Sequence, residues 1–73
     1  MVSFYIIECD FDSYPSMHPH YIENVNDLQM FIAVKNIKEF DMREFNDKSF
    51  KNKLQDILNE NSKNEFLVIR IID

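Results

Sequence analysis

Val2-Ser3-Phe4-Tyr5-Ile6-Ile7-Glu8-Cys9 and Phe66-Leu67-Val68-Ile69-Arg70-Ile71-Ile72 decide the fold class of this chain. Both runs are β-branched, aromatic and aliphatic. In the first, both alternating sets are apolar: Val2, Phe4 and Ile6 on one side, Tyr5, Ile7 and Cys9 on the other. That pattern describes an interior strand covered on two faces. The two runs lie near opposite ends of a 73-residue chain, which is too short to divide into two cores. One domain over residues 1–73 follows, with the first and last strands as neighbours.

Between the strands the apolar period changes to that of a helix. Asn24 or Asn26 is placed to cap a helix running to about Lys35, with Asp27 near its positive end and Val25, Leu28 and Ile32 on one face beside Phe31. Met30 and Val34 project from the opposite side. Either they form an interface, or the last turn unwinds and Val34 tucks inward. A second helix carries Phe50, Leu54, Ile57 and Leu58 in one stripe, with Lys51, Lys53, Gln55, Asp56 and Asn59 on the wet side. Asn46 reads as its cap, Phe45 and Phe50 as a hydrophobic staple, and Asp47 as a first-turn acid. The Asn59-Glu60-Asn61-Ser62 cluster ends it, Asn standing in for glycine where a left-handed residue is wanted.

The segment from Ile37 to Phe45 alternates weakly, Phe40 and Met42 against Glu39, Asp41 and Arg43, and reads as an edge strand. Asp10 to His20, with Ser13, Pro15, Ser16 and Pro19, reads as a long exposed loop. The resulting order is β-α-β-α-β. This is an α+β two-layer sandwich, a three-stranded sheet with two helices on one face. One sheet face is then left bare, with Tyr5, Ile7, Val68 and Ile72 or their counterparts on it. The long loop, folding back through Phe11, Tyr14 and Tyr21, is the expected cover, ahead of a second copy or another protein.

Apolar residues at 45% and aromatics at 14% are enough for a folded core. Cys9 is the only cysteine, so no disulfide forms within the chain, and a reducing compartment is expected. The opening run has neither the basic start of a leader nor the length of a membrane span, which points to a cytoplasmic protein without membrane contact. The chain contains no glycine. Phosphate-cradling loops and the nucleophile elbow of esterases are therefore absent.

Charge is unevenly distributed. Residues 1–34 hold Glu8, Asp10, Asp12, Glu23 and Asp27 and no Lys or Arg, while residues 35–73 balance eight acids with eight bases. The whole net charge of −5 thus falls in the first half. Either this is composition alone, or it marks an acidic face for a basic partner.

Cys9, Asp10, Asp12, His18 and His20 gather five possible metal ligands, but the paired spacings of zinc sites are missing, so neither metal nor cofactor is expected. Asp10 and Asp12 could hold magnesium with a loop histidine nearby, the basis of an alternative reading as a metal-dependent hydrolase or nuclease. A nuclease must also hold phosphates, and the first half offers no base to do so. A Cys9/His18 nucleophile pair is opposed by the position of Cys9 in a hydrophobic strand.

The leading expectation is a small acidic protein that is not an enzyme and occupies a surface of a larger, basic, nucleic-acid-binding protein. Asp10, Phe11, Asp12, Tyr14, Glu23, Asp27, Met30 and Val34 are its candidate contact residues. Small size, no glycine loops and concentrated negative charge give it the character of phage inhibitors such as anti-CRISPR proteins and DNA mimics. A dimeric structural or accessory subunit is a further alternative. Direct nucleic-acid binding is disfavoured by the negative charge.

Overall fold

Both hydrophobic runs form strands, and they pair side by side. The computed structural model describes residues 1–11, 16–38 and 40–72. In chain order the elements are β1 (Val2–Asp10), β2 (Ser16–Ile22), α1 (Val25–Val34), a 3₁₀ turn (Met42–Glu44), α2 (Phe50–Glu60) and β3 (Glu65–Ile72). The sheet is antiparallel in the order β2-β1-β3. Three strands and two helices give the expected α+β class.

The order of elements differs from expectation, because the second strand is Ser16–Ile22 and the described residues of the 37–45 segment form no strand, Glu39 lying outside them. Pro19 had argued for a loop. In the sheet it opposes Ile7 on an outer strand. Phe66 and Val68 turn their N–H groups away from β1, so by antiparallel alternation Glu8 and Ile6 bond toward β2, and Pro19 faces the free edge where it removes no ladder bond. At Asp41 a local bond defeats the strand: its carboxylate accepts from the Arg43 N–H at 2.9 Å and grips the Arg43 guanidinium, starting the 3₁₀ turn.

Asn24 caps α1, its Oδ1 accepting from the Asp27 N–H at 3.0 Å, and Asp27 Oδ2 accepts in return from the Glu23 N–H at 3.1 Å. The helix ends in a Schellman motif. Asn36 takes φ 60°, its N–H bonds to Ala33 O, and the Ile37 N–H reaches Ile32 O while both isoleucines join the core. Val34 therefore stays outside, at 77% exposure, and the unwound last turn does not occur. The left-handed residue was expected at the end of α2, yet Asn61 has φ −107°.

α2 begins at Phe50 with Ser49 as its cap, not Asn46, and Ser49 makes no side-chain capping bond. Asp47 closes the preceding turn by accepting from the Ser49 N–H and Oγ. The Phe45 and Phe50 rings still meet at 5.5 Å. With Phe4 and Phe40 they form an aromatic cluster at the centre of the core. Leu28, Leu54, Leu58, Ile6 and Val68 complete it, Ile57 packing at its margin.

The outward edge of β3 is closed by side chains of α2. Asn59 Oδ1 accepts from the Phe66 N–H at 2.7 Å, Asn59 Nδ2 donates to Phe66 O, and Gln55 Oε1 accepts from the Val68 N–H at 2.9 Å. Residues four apart on a helix reach successive outward positions of a strand and act as a partial fourth strand.

The far face of the sheet carries Tyr5, Ile7 and Cys9 from β1, Met17, Pro19 and Tyr21 from β2, and Leu67, Ile69 and Ile71 from β3. Val68 and Ile72 were expected here, but the register sets them against Ile6 and Val2 on the helix side, where Val68 is fully buried. Among the described residues, none folds over this face. Phe11 is itself 60% exposed, Tyr21 belongs to the face and leans on Tyr5, and Tyr14 lies outside the described residues.

Candidate functional site

The acids of the first half are divided by the hairpin of β1 and β2. Asp10 is at one end of β1, opposite Ser16, whereas Glu23 follows Ile22, which opposes Phe4 at the other end. Six residues of strand separate those ends, about 20 Å. Asp12 lies outside the described residues. The acidic half is therefore not one continuous face.

Glu8 is turned inward. Its Oε1 accepts from Lys35 Nζ at 2.9 Å and His20 Nε2 at 3.2 Å, and its Oε2 from Asn64 Nδ2 at 2.7 Å and Lys35 Nζ at 3.1 Å. Lys35 also lies over the Phe31 and Phe66 rings, and His20 rests on Phe31. Burial alone would push the Glu8 carboxyl up, but the bonds from Lys35 and Asn64, the Lys35 charge and the His20 bond outweigh it and hold the group below its ordinary value. All three strands or their flanking loops and the end of α1 meet at this carboxylate. A carboxylate so saturated has no free lone pair for substrate and is held ionised, which suits a structural clamp better than an acid catalyst.

Three of the candidate residues share one side of α1, and a fourth adjoins it. At 100° per residue, Asp27, Met30 and Val34 fall within one narrow stripe of α1, opposite the buried Leu28 and Ile32, and Glu23, which precedes the extended cap Asn24, adjoins the start of the stripe through its N–H on Asp27 Oδ2. Met30 is 69% and Val34 77% exposed, and Glu23 is exposed. The stripe is acidic toward the helix start and apolar toward its end. Lys35, next to Val34, is bonded to Glu8, so the apolar end lies at the end of the sheet from which Asp10 and the exposed Phe11 continue. Tyr14 lies outside the described residues.

The residues considered for chemistry are dispersed. His20 is committed to Glu8, His18 is exposed and bonded to Ser16 Oγ, and Cys9 is half-buried on the far sheet face. Among the described residues no three His, Cys, Asp or Glu side chains are grouped to hold a metal ion. Of two open depressions, one beside α1 at Ala33 and Phe40 is lined by Lys38 as its titratable residue, and one along the β3 edge at Asn59 and Leu67 by Cys9 and Glu65. No helix of the described residues is long and apolar enough to cross a membrane.

The Glu8 cluster was not legible in the sequence, since its members lie 12, 27 and 56 residues apart. The bare sheet face had a signal, the two-sided hydrophobicity of both long strands. No protein family, curated protein or solved structure matches this chain.

Proposed function

We propose that this chain is a small acidic, non-catalytic binding protein that docks on a larger basic protein through the α1 stripe of Asp27, Met30 and Val34 and the adjoining Glu23. The observation that carries the reading is the stripe itself. Two exposed apolar side chains and the Asp27 carboxylate share one side of a helix whose other side is anchored by Leu28 and Ile32, and Glu23 adjoins that side at the helix start. Helices docked in grooves use anchors at this spacing, the apolar residues supplying the buried centre and the acids the steering and the rim. Asp10 and Phe11 would extend the contact beyond the Val34 end.

A basic partner surface of this kind is what nucleic-acid-binding proteins present to phosphates, and carboxylates on the stripe would compete for it. Inhibitors of the phage type work on that principle. The test is affinity capture from lysate of the natural host, with the parent and a Glu23→Lys/Met30→Asp variant as baits, repeated with heparin as competing polyanion. A protein retained by the parent, lost with the variant and displaced by heparin is the expected result. Retention indifferent to both the variant and heparin would overturn the proposal.

A further inference from the structure

The far face of the sheet is a second surface, chemically unlike the α1 stripe. Tyr5 is 41% exposed, Met17 68%, Tyr21 51%, Leu67 50% and Ile69 43%, on three adjacent strands. Side chains of this size present on the order of 200 Å² each when free, so the five alone leave roughly 500 Å² of apolar surface to water. Patches of that size are rare on monomers without a role.

We infer that this face is the interface of a homodimer, two copies packing sheet against sheet. Charge argues for a copy as the occupant. Among Ser3 to Cys9, Met17 to Tyr21 and Glu65 to Ile71, the residues that register places on this face are uncharged except Glu65, which stands beside Cys9 at one end. A basic protein finds a single carboxylate there, at one end, to pair with. A second copy of a chain of net charge −5 is repelled elsewhere and meets charge on this face only at the Glu65 end. A twofold axis lying across the strands sends the two Glu65 side chains to opposite ends.

Area argues in the same direction. With the half-buried Ile7, Cys9 and Ile71 included, two copies would bury roughly 1,200 Å², the lower limit of a specific interface. A dimer of micromolar affinity fits that area, and face-to-face packing about 10 Å apart is the ordinary geometry of two sheets. Growth through the edges is opposed, by Pro19 on one side and by Gln55 and Asn59 on the other.

Sedimentation equilibrium from about 1 to 500 µM tests the inference, with dissociation expected in the micromolar range. Ile69→Lys should weaken the dimer at least about 30-fold by placing an unpaired ammonium at its centre. Met30→Lys, on the opposite layer, should leave it unchanged, which separates this interface from the α1 contact. The Cys9 thiol gives a readout on the parent protein without substitution. Its reaction with a disulfide reagent should slow as protein concentration rises through the dissociation constant. A parent that stays monomeric at 500 µM, a Cys9 rate independent of concentration, or a folded Ile69→Lys protein that dimerises as the parent does would overturn it.

Discussion

Replacing Glu8 by Gln tests the clamp that joins the sheet to α1. The side chain keeps its length but loses its charge, and its amide N–H group would be turned toward Lys35, His20 or Asn64, all donors to the present carboxylate. Breaking a fully buried pair costs about 3–5 kcal/mol and an exposed one about 0–1. The Glu8 side chain is 11% exposed and Lys35 27%, so Lys35 recovers part of its hydration and the expected loss is about 2 kcal/mol. A chain of 73 residues has roughly 4–11 kcal/mol in all. The loss corresponds to a fall in Tm of about 8–16 °C.

Urea unfolding of the parent, Glu8→Gln, Lys35→Met and the double variant gives the coupling directly. The pH dependence supplies a second check. Because the folded Glu8 carboxyl titrates below the unfolded value of 4.5, the unfolded chain binds more protons in that interval. The stabilisation is complete above 4.5 and declines as pH falls through the folded value. Asp41, held down to about 2 by its bonds from Arg43, and Asp47, lowered by the Ser49 N–H, titrate in both proteins and cancel in the difference. A difference below about 0.5 kcal/mol at pH 7, or one that grows on acidification, would refute the clamp.

Other expectations concern the core, an edge and a turn. Leu54→Ala, at a fully buried site, should cost about 2–5 kcal/mol and Ile57→Ala distinctly less; equal urea midpoints would place Leu54 outside the core. Asn59→Ala should cost about 1–2 kcal/mol and speed amide exchange at Phe66, whose N–H it leaves without its acceptor; unchanged exchange would mean the edge is not closed by α2. Asn36→Ala should lose about 1 kcal/mol while Asn36→Gly holds or gains stability, as thermal melts would show, since the residue lies at φ 60°; the reverse order would deny the left-handed turn.

What the sequence revealed and what it hid divide along the range of the interactions. The faces of β1, the stripe of α2 and the Asn24 cap rest on neighbours within one or two turns, and the period of the residues displays them. The second strand was hidden because Pro19 signals a loop locally, and only the position of β2 at the sheet edge makes it harmless. The 37–45 segment misled in the opposite sense, a weak alternation overridden by the bond from Arg43 to Asp41 two residues away. At the candidate site, the sequence identified Met30 and Val34 as outward residues, and they are. It could not show that Glu8 is consumed by Lys35 and Asn64, 27 and 56 residues distant, or that Asp10 and Glu23 part to opposite ends of a hairpin.

The two exposed apolar surfaces differ in a way that bears on how each would be used. Both free edges of the sheet are blunted, so association falls to the faces. On α1, apolar residues share a stripe with carboxylates, and a contact made there weakens as salt screens the charges over about 8–10 Å. The sheet face carries charge only at its Glu65 end, and salts that strengthen apolar burial leave it intact or tighten it. A dimer through the sheet would leave both α1 stripes outward, on opposite sides of a four-layer assembly. Each copy then presents its acidic, methionine-bearing helix to a partner while the pairing that doubles those helices depends on a surface the partner never touches. Linking two modest contacts in this way raises overall affinity without any new one, provided the partner offers two basic surfaces within reach.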